Sequence, residues 1–199
     1  MTDRLRVFWI EGLPGSGKTT LINGLVERRG NFLTVFPKTD IVSIFVRGLG
    51  FDFSKFASPG ADADCAIEDL KVAMLNSFSP NFERPVVGER SYLSTLVFYD
   101  ILNKERKVSH EALKHLENHL TGKRRDYVER FIFFNCNPNE SLRRDLWSHT
   151  GFWNNANHAK LAIGLYEKYL GRMNVPYLKI PAGTETTTAV DLAEDFIYG

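Results

Sequence analysis

Five short stretches of the chain are apolar almost without interruption: "RVFWI" from Arg6, "FLTVF" from Phe32, "PVVGE" from Pro85, "RFIFFN" from Arg130 and "PYLKI" from Pro176. Unbroken runs of Val, Ile and Phe suit parallel strands covered on both faces, because a half-exposed strand would alternate apolar and polar positions. Between them the apolar positions recur at helical spacing. Leu21, Leu25 and Val26 form one such set, and Ile67, Leu70 and Met74 another. Leu93, Leu96, Val97 and Ile101 share a face, as do Leu113, Leu116 and Leu120. Ser109 is placed to cap the last of these helices and Gly122 to stop it. Asn137 and Pro138 read as cap and first residue of a helix over "NESLRRDLW". A longer helix is expected around 160–170, ending at Gly171, and a final one over about 190–197. Strands alternating with helices in this way predict one α/β domain over 1–199, a parallel sheet with right-handed crossovers. The aromatic stretch 47–60 has no clear period and reads as a long loop or broken helix, a kind of segment that often carries function.

Composition narrows the class without naming the chemistry. The 199 residues are 43% hydrophobic, enough for one sizeable core. Twenty-five Lys and Arg balance 24 Asp and Glu, so no overall field draws the chain to nucleic acid or an anionic membrane. Cys65 and Cys136 lie far apart, without metal-ligand spacing to a histidine, and read as two buried, reduced thiols. The first residues run straight into a strand, and no apolar run approaches membrane-span length. The expectation is a soluble, cytoplasmic protein with no membrane partner.

Residues 11–20, "EGLPGSGKTT", carry the sharpest chemical signal. Gly12, Gly17, Lys18 and Thr19 fit G-x-x-x-x-G-K-[ST], with Pro14, Gly15 and Ser16 inside the loop and Thr20 just after it. A strand precedes the pattern and a helix follows, the context that a phosphate loop requires. Phosphate oxygens need several donors converging on one point, and small residues let successive backbone N–H groups turn inward. The helix start adds its positive end. Lys18 can reach the β- and γ-phosphates, and the Thr19 hydroxyl is placed to ligate Mg²⁺. An ordinary glycine-rich turn would explain the glycines but not Lys-Thr at that offset. ATP with Mg²⁺ is therefore the expected cofactor pair.

The remaining sequence discriminates among phosphate-loop proteins. No N-K-x-D or D-x-x-G signature of a GTPase is present. "PVVGERS" instead puts Glu89, Arg90 and Ser91 at the carboxyl end of the third strand, where open α/β sheets bind ligands. A carboxylate there can order the metal or take a proton, and an arginine beside it can grip a phosphate. "FWIEGLPGSGKTTLI" together with "ERSYLSTLVFYD" resembles the thymidylate kinase and deoxynucleoside kinase superfamily of P-loop proteins. The resemblance implies a three-layer α-β-α P-loop NTPase fold: a five-stranded parallel sheet in the order 2-3-1-4-5, with helices on both faces and a short lid. It places the lid at about 139–157 and acceptor binding at about 37–80. It also implies arginines on the lid, for which Arg143 and Arg144 stand in. Arg144 fits the family's Pro-x-x-[CAS]-x-x-Arg pattern, whereas Trp147, Ser148 and His149 stand where a further lid arginine is usual. The Lys123-Arg124-Arg125 cluster either helps Arg143 and Arg144 or, the simpler reading, is a solvated helix end.

The acceptor side is less sharply written. Phe36 and Pro37 match the end of the second strand in thymidylate kinases, and a phosphorylated acceptor would call on Lys38, Arg47, Lys71 and Arg90. Deoxynucleoside kinases place a carboxylate just after this strand as base for a hydroxyl, and Asp40 stands close to that position. Asp40 is either that base or a helix cap, with Glu89 the alternative base. Phe36, Phe45, Phe51, Phe53, Phe56, Tyr92 and Tyr99 are aromatics that could stack on a planar base, or belong to the core. The leading expectation is an ATP:Mg²⁺-dependent kinase of a (deoxy)nucleoside or nucleoside monophosphate, a small-molecule acceptor. A hydroxyl on DNA or RNA is the alternative, which the near-zero net charge disfavours. A non-catalytic nucleotide-binding regulatory module is the third reading. Kinases of this kind often pair through helices beside the sheet, so a homodimer is a partner the resemblance allows.

Overall fold

The computed structural model describes residues 4–37, 61–77, 84–123, 125–144, 152 and 155–199, with side chains in the second segment from Asp64 onward. Each of the five apolar runs contains a strand: β1 (Arg6–Gly12), β2 (Thr34–Val35), β3 (Val86–Glu89), β4 (Val128–Phe134) and β5 (Tyr177–Ile180). They form a single parallel sheet in the order β2-β3-β1-β4-β5. Among the described residues seven α-helices surround it: α1 (Lys18–Arg29), α2 (Ala61–Ser77), α3 (Tyr92–Lys104), α4 (His110–Thr121), α5 (Pro138–Arg144), α6 (Ala156–Met173) and α7 (Thr186–Tyr198).

Two cores flank the sheet because β1 and β4 are apolar on both faces. Phe8, Ile10, Ile132 and Phe134 pack on one side with Leu21, Ile22 and Leu25 of α1 and with Ala189, Val190, Ala193 and Ile197 of α7. Val7, Trp9, Phe131 and Phe133 pack on the other with α3, α6 and parts of α2 and α4. Phe36, Tyr92 and Tyr99 belong to this second core, the first edge-on to Trp9 at 5.6 Å between ring centres. Both cysteines are free thiols; Cys65 is buried and Cys136 is partly exposed. No helix among the described residues is long and apolar enough to cross a membrane.

Helix ends follow local chemistry, with three departures from the sequence pattern. Ser109 does cap α4 by accepting from the Ala112 amide at 3.1 Å, and the Asn137 side chain accepts from the Asn139 amide at 3.0 Å. Helix α6, however, runs through Gly171 and stops at Asn174, which takes the left-handed conformation at φ 50°. Asparagine tolerates that region through its short polar side chain, so it ends the helix where glycine was expected to. Helix α7 starts a turn earlier than its apolar stripe, since its first turn is polar and exposed. Val26 is 39% exposed and Ile22 takes the inward position instead. The stretch 47–60 lies outside the described residues.

Gly88 lets β3 lie against the Trp9 indole. A Cβ there would sit 2.4 Å and 2.8 Å from ring carbons of Trp9, whose own indole N–H is tied to Glu129 at 3.0 Å. The ring cannot swing aside without losing that bond. Gly88→Ala should therefore destabilise the protein by about 1–3 kcal/mol, read as a lower urea midpoint at unchanged slope.

Candidate nucleotide-binding site

The first crossover builds the cradle. β1 delivers Gly12 at its carboxyl end, and the chain turns through Gly12, Gly15 and Gly17 at φ 138°, 68° and 100° before α1 begins at Lys18. The close approach is real at Gly12: a Cβ would meet the Phe134 carbonyl oxygen at 3.0 Å and the Ser16 hydroxyl at 3.1 Å. Ser16 is buried, Pro14, Gly15 and Gly17 are partly exposed, and Thr19 and Thr20 open to solvent on the first turn of α1.

Lys18 lies folded over the loop. Its ammonium donates to the carbonyls of Gly12 at 3.1 Å and Leu13 at 2.7 Å and to the Ser16 hydroxyl at 3.4 Å. Burial, with the Arg90 charge adding to it, lowers its pKa from the usual 10.5 to about 7. Three carbonyl and hydroxyl oxygens hold a cation here that a polyphosphate would hold better.

The adjacent strand brings the acid. Parallel pairing sets Ile10 of β1 level with Glu89 of β3, so β3 ends beside the last residues of β1 before the loop, and its corner residues lie next to Glu11 and Gly12. Glu89 then accepts from the Thr19 hydroxyl at 3.0 Å and lies 3.8 Å from the Lys18 ammonium. A hydroxyl and a carboxylate side by side form a hard-oxygen pair suited to Mg²⁺, which completes its shell with water and phosphate oxygens. The residues present fit the ion.

Arg90 follows in a left-handed turn at φ 63°, uncommon for a residue with a side chain. Its amide donates to the Ile10 carbonyl at 3.1 Å, and its own carbonyl accepts from Lys71 at 3.3 Å. Its guanidinium is hydrogen-bonded to none of the described residues. Ser91 caps α3, its hydroxyl accepting from the Leu93 amide at 3.0 Å.

Of the other residues singled out in the sequence, several have different surroundings from those expected. Lys71 is 2% exposed and bound to the equally buried Glu68 at 2.8 Å, so its charge is already matched. Tyr92 lies in the core, under the Arg125 guanidinium at 4.4 Å, with its hydroxyl 3.5 Å from Glu129. Arg125 is not a solvated helix end, since it also lies 3.3 Å from Glu129. Arg143 and Arg144 are exposed on α5, and Arg144 pairs with Glu140 at 2.5 Å. That helix is nonetheless docked on the cradle, because the Ser141 hydroxyl donates to the Pro14 carbonyl. Arg144 sits one turn beyond Ser141 on the same side. Lys38, Asp40, Arg47, Trp147, Ser148 and His149 lie outside the described residues.

Two contributors escape the motif reading. Ser141 is one: it stands at the [CAS] position of the Pro-x-x-[CAS]-x-x-Arg pattern, which by itself gives it no contact with the loop. Glu11 is the other: the resemblance includes a glutamate just before the loop but gives it no role, and here it is fully buried.

No protein-family model matches the sequence, and no curated protein matches it. Solved structures do. The deoxyadenosine kinase from M. mycoides with bound dATP superposes with a TM-score of 0.70 at 11% identity, over 96% of this chain and 99% of that one. The same enzyme with products dCMP and a flexible dCDP gives 0.70 at 12% identity, over 96% and 97%. With bound dCTP it gives 0.63 at 12%, over 96% and 97%. The fold of this chain is thus the P-loop kinase fold, sheet order included.

The buried lysine makes a stability prediction. Its folded pKa lies below its unfolded value, so between about pH 7 and 10.5 the unfolded chain holds the extra proton and rising pH favours folding. The cost of burying the charge is full below pH 7. Lys18→Met should raise the Tm of the nucleotide-free protein by ~3 °C or more below pH 7. The gap should close as pH climbs toward 10, in paired thermal melts across that range.

Proposed function

We propose that this protein is an ATP:Mg²⁺-dependent kinase that transfers the γ-phosphoryl group to a hydroxyl of a (deoxy)nucleoside. The observation that carries the reading is the meeting of Thr19 and Lys18 with Glu89 across two neighbouring strand ends. A phosphate cradle alone would serve a switch or a motor. A carboxylate meeting the cradle's lysine and threonine, with an arginine next to it in the chain, would give it an acceptor side as well. The likeness in fold to a deoxyadenosine kinase, whose structures hold dATP, dCTP and dCMP, supports the substrate class.

The chemistry asks little covalent work of the protein. The bond between the γ-phosphorus and its bridging oxygen breaks, a bond to the acceptor oxygen forms, and ADP departs with the electron pair. Bound Mg²⁺ supplies neutralisation of the phosphate charge. Lys18 exchanges its carbonyl partners for phosphate oxygens, and Thr19 with Glu89 orders the metal's oxygen shell. Arg90, and Arg144 once released from Glu140, would meet charge on the transferring group. The acceptor proton goes to a carboxylate: Asp40, following the family's pattern, or Glu89.

The state of Lys71 favours a hydroxyl acceptor over a monophosphate. A phosphorylated acceptor needs uncommitted cations, and Lys71 is neutralised by Glu68 inside the core. Incubation with γ-labelled ATP, Mg²⁺ and a panel of nucleosides, their monophosphates and an oligonucleotide should label one nucleoside. Glu89→Gln should lower kcat at least ~100-fold with the fold intact by circular dichroism. Label on a monophosphate or on the oligonucleotide alone would move the acceptor class, and no labelled product from any of them would remove the kinase reading.

A further inference from the structure

Glu11 ends the apolar run of β1, immediately before the cradle, and is 0% exposed. A carboxylate taken wholly out of water is strongly disfavoured unless donors replace its hydration. Burial accordingly pushes its pKa up, against the opposing pull of its hydrogen bonds. Those donors all come from one place. Oε1 accepts from the Ser91 amide at 2.7 Å and the Ser91 hydroxyl at 2.6 Å, and Oε2 accepts from the Ser94 hydroxyl at 2.6 Å. The Ser94 oxygen lies 2.9 Å from the buried Tyr166 hydroxyl of α6, which can donate to it while Ser94 gives its own proton to Glu11.

The proton wiring is directional. Ser91 gives its hydroxyl hydrogen to Glu11 and so turns a lone pair to the Leu93 amide, which caps α3. With its amide and hydroxyl both fixed, Ser91 leaves little freedom to the residue before it. That residue is Arg90, in its left-handed turn, and before Arg90 comes Glu89. A non-glycine residue persists in this region only where its surroundings over-determine it.

We propose that Glu11 is a positioning residue: its carboxylate clamps the β3–α3 corner to the strand that carries the phosphate loop, holding Glu89 and Arg90 at working distance from Lys18 and Thr19. It touches no substrate. Its consequence for turnover rests on the kinase reading above; its consequence for the corner does not.

Two variants separate hydrogen bonding from mere presence. Glu11→Gln can still accept from Ser91 with its oxygen and donate to Ser94 with its nitrogen, while Ser94 turns its proton to Tyr166. Glu11→Leu fills the space and offers nothing. The first readout is amide hydrogen exchange at Ser91 in the nucleotide-free protein, which needs no activity. Glu11→Leu should speed Ser91 exchange at least tenfold with the amides of β4 unchanged, and Glu11→Gln should leave it within about threefold of wild type. The second readout is kinetic: Glu11→Leu should lower kcat tenfold or more with KM for ATP within twofold, and Glu11→Gln should restore most of kcat. If Glu11→Leu is insoluble, Ser94→Ala removes one of the three donors in a folded chain and should give an intermediate loss in both readouts. Wild-type protection of Ser91 in Glu11→Leu, or in Ser94→Ala where that variant replaces it, would overturn the proposal. So would equal loss in the glutamine and leucine variants. A wild-type protein with no kinase turnover, whose Ser91 exchange still responds as stated, would keep the clamp and remove only the function.

Discussion

The parallel pairing of β1 with β3 is the constraint from which the site follows. It sets Ile10 level with Glu89, so the Arg90–Ser91 corner that follows β3 lies beside Glu11 and Gly12, where the phosphate loop begins. A strand end in a parallel sheet has unpaired backbone groups on one side and a helix start on the other. Here two such ends are adjacent, and polar side chains join them. Thr19 reaches Glu89 across the gap, while Glu11 reaches Ser91 and Ser94 beneath it. One contact faces solvent and the other is sealed. Were a metal and phosphate to bind, the outer contact could open while the inner one stays closed.

The charges around this junction are nearly matched without ligand. Lys18 and Arg90 oppose Glu11 and Glu89, and Lys71 opposes Glu68 a few ångströms behind. Matched charge lets a small protein bury ionised groups at all, since an isolated one would neutralise or unfold its surroundings. It also defines what a ligand must bring. A polyphosphate would add negative charge where the Lys18 ammonium is hydrogen-bonded to carbonyl and hydroxyl oxygens and where the Arg90 guanidinium is hydrogen-bonded to none of the described residues. A metal cation beside Glu89 offsets the surplus.

Much of this was legible in the sequence because it rests on local pattern. The five strands show as unbroken apolar runs, and the turn between β1 and α1 shows because its positive φ angles call for glycine at fixed offsets. The corner at Glu89 and Arg90 was placed correctly by counting from the third strand. What the sequence could not disclose were contacts set by tertiary packing. Lys71 reads as an available cation, yet Glu68 lies one turn before it on α2, and burial turns that pair inward. Arg125 reads as a solvated helix end, yet the chain folds it over Tyr92 beside Glu129. Gly171 reads as a stop, yet nothing there demands a positive φ, and Asn174 supplies it three residues on.

The same distinction explains why the cradle and the acceptor side differ in sequence clarity. A phosphate loop binds through backbone amides, so its code is conformational and needs glycine at fixed offsets. An acceptor is held by side chains from separate elements, and any of several cations or carboxylates can serve. Lys71 shows the cost of reading such residues singly: its role is set by Glu68 and by the Arg90 carbonyl, a partner from another element. Arg144 shows the converse. It is paired with Glu140 on its own helix, but that helix is fastened to the cradle through Ser141, so the arginine lies one turn from that contact. Docking of the helix, more than the identity of the arginine, is what places that charge near the loop.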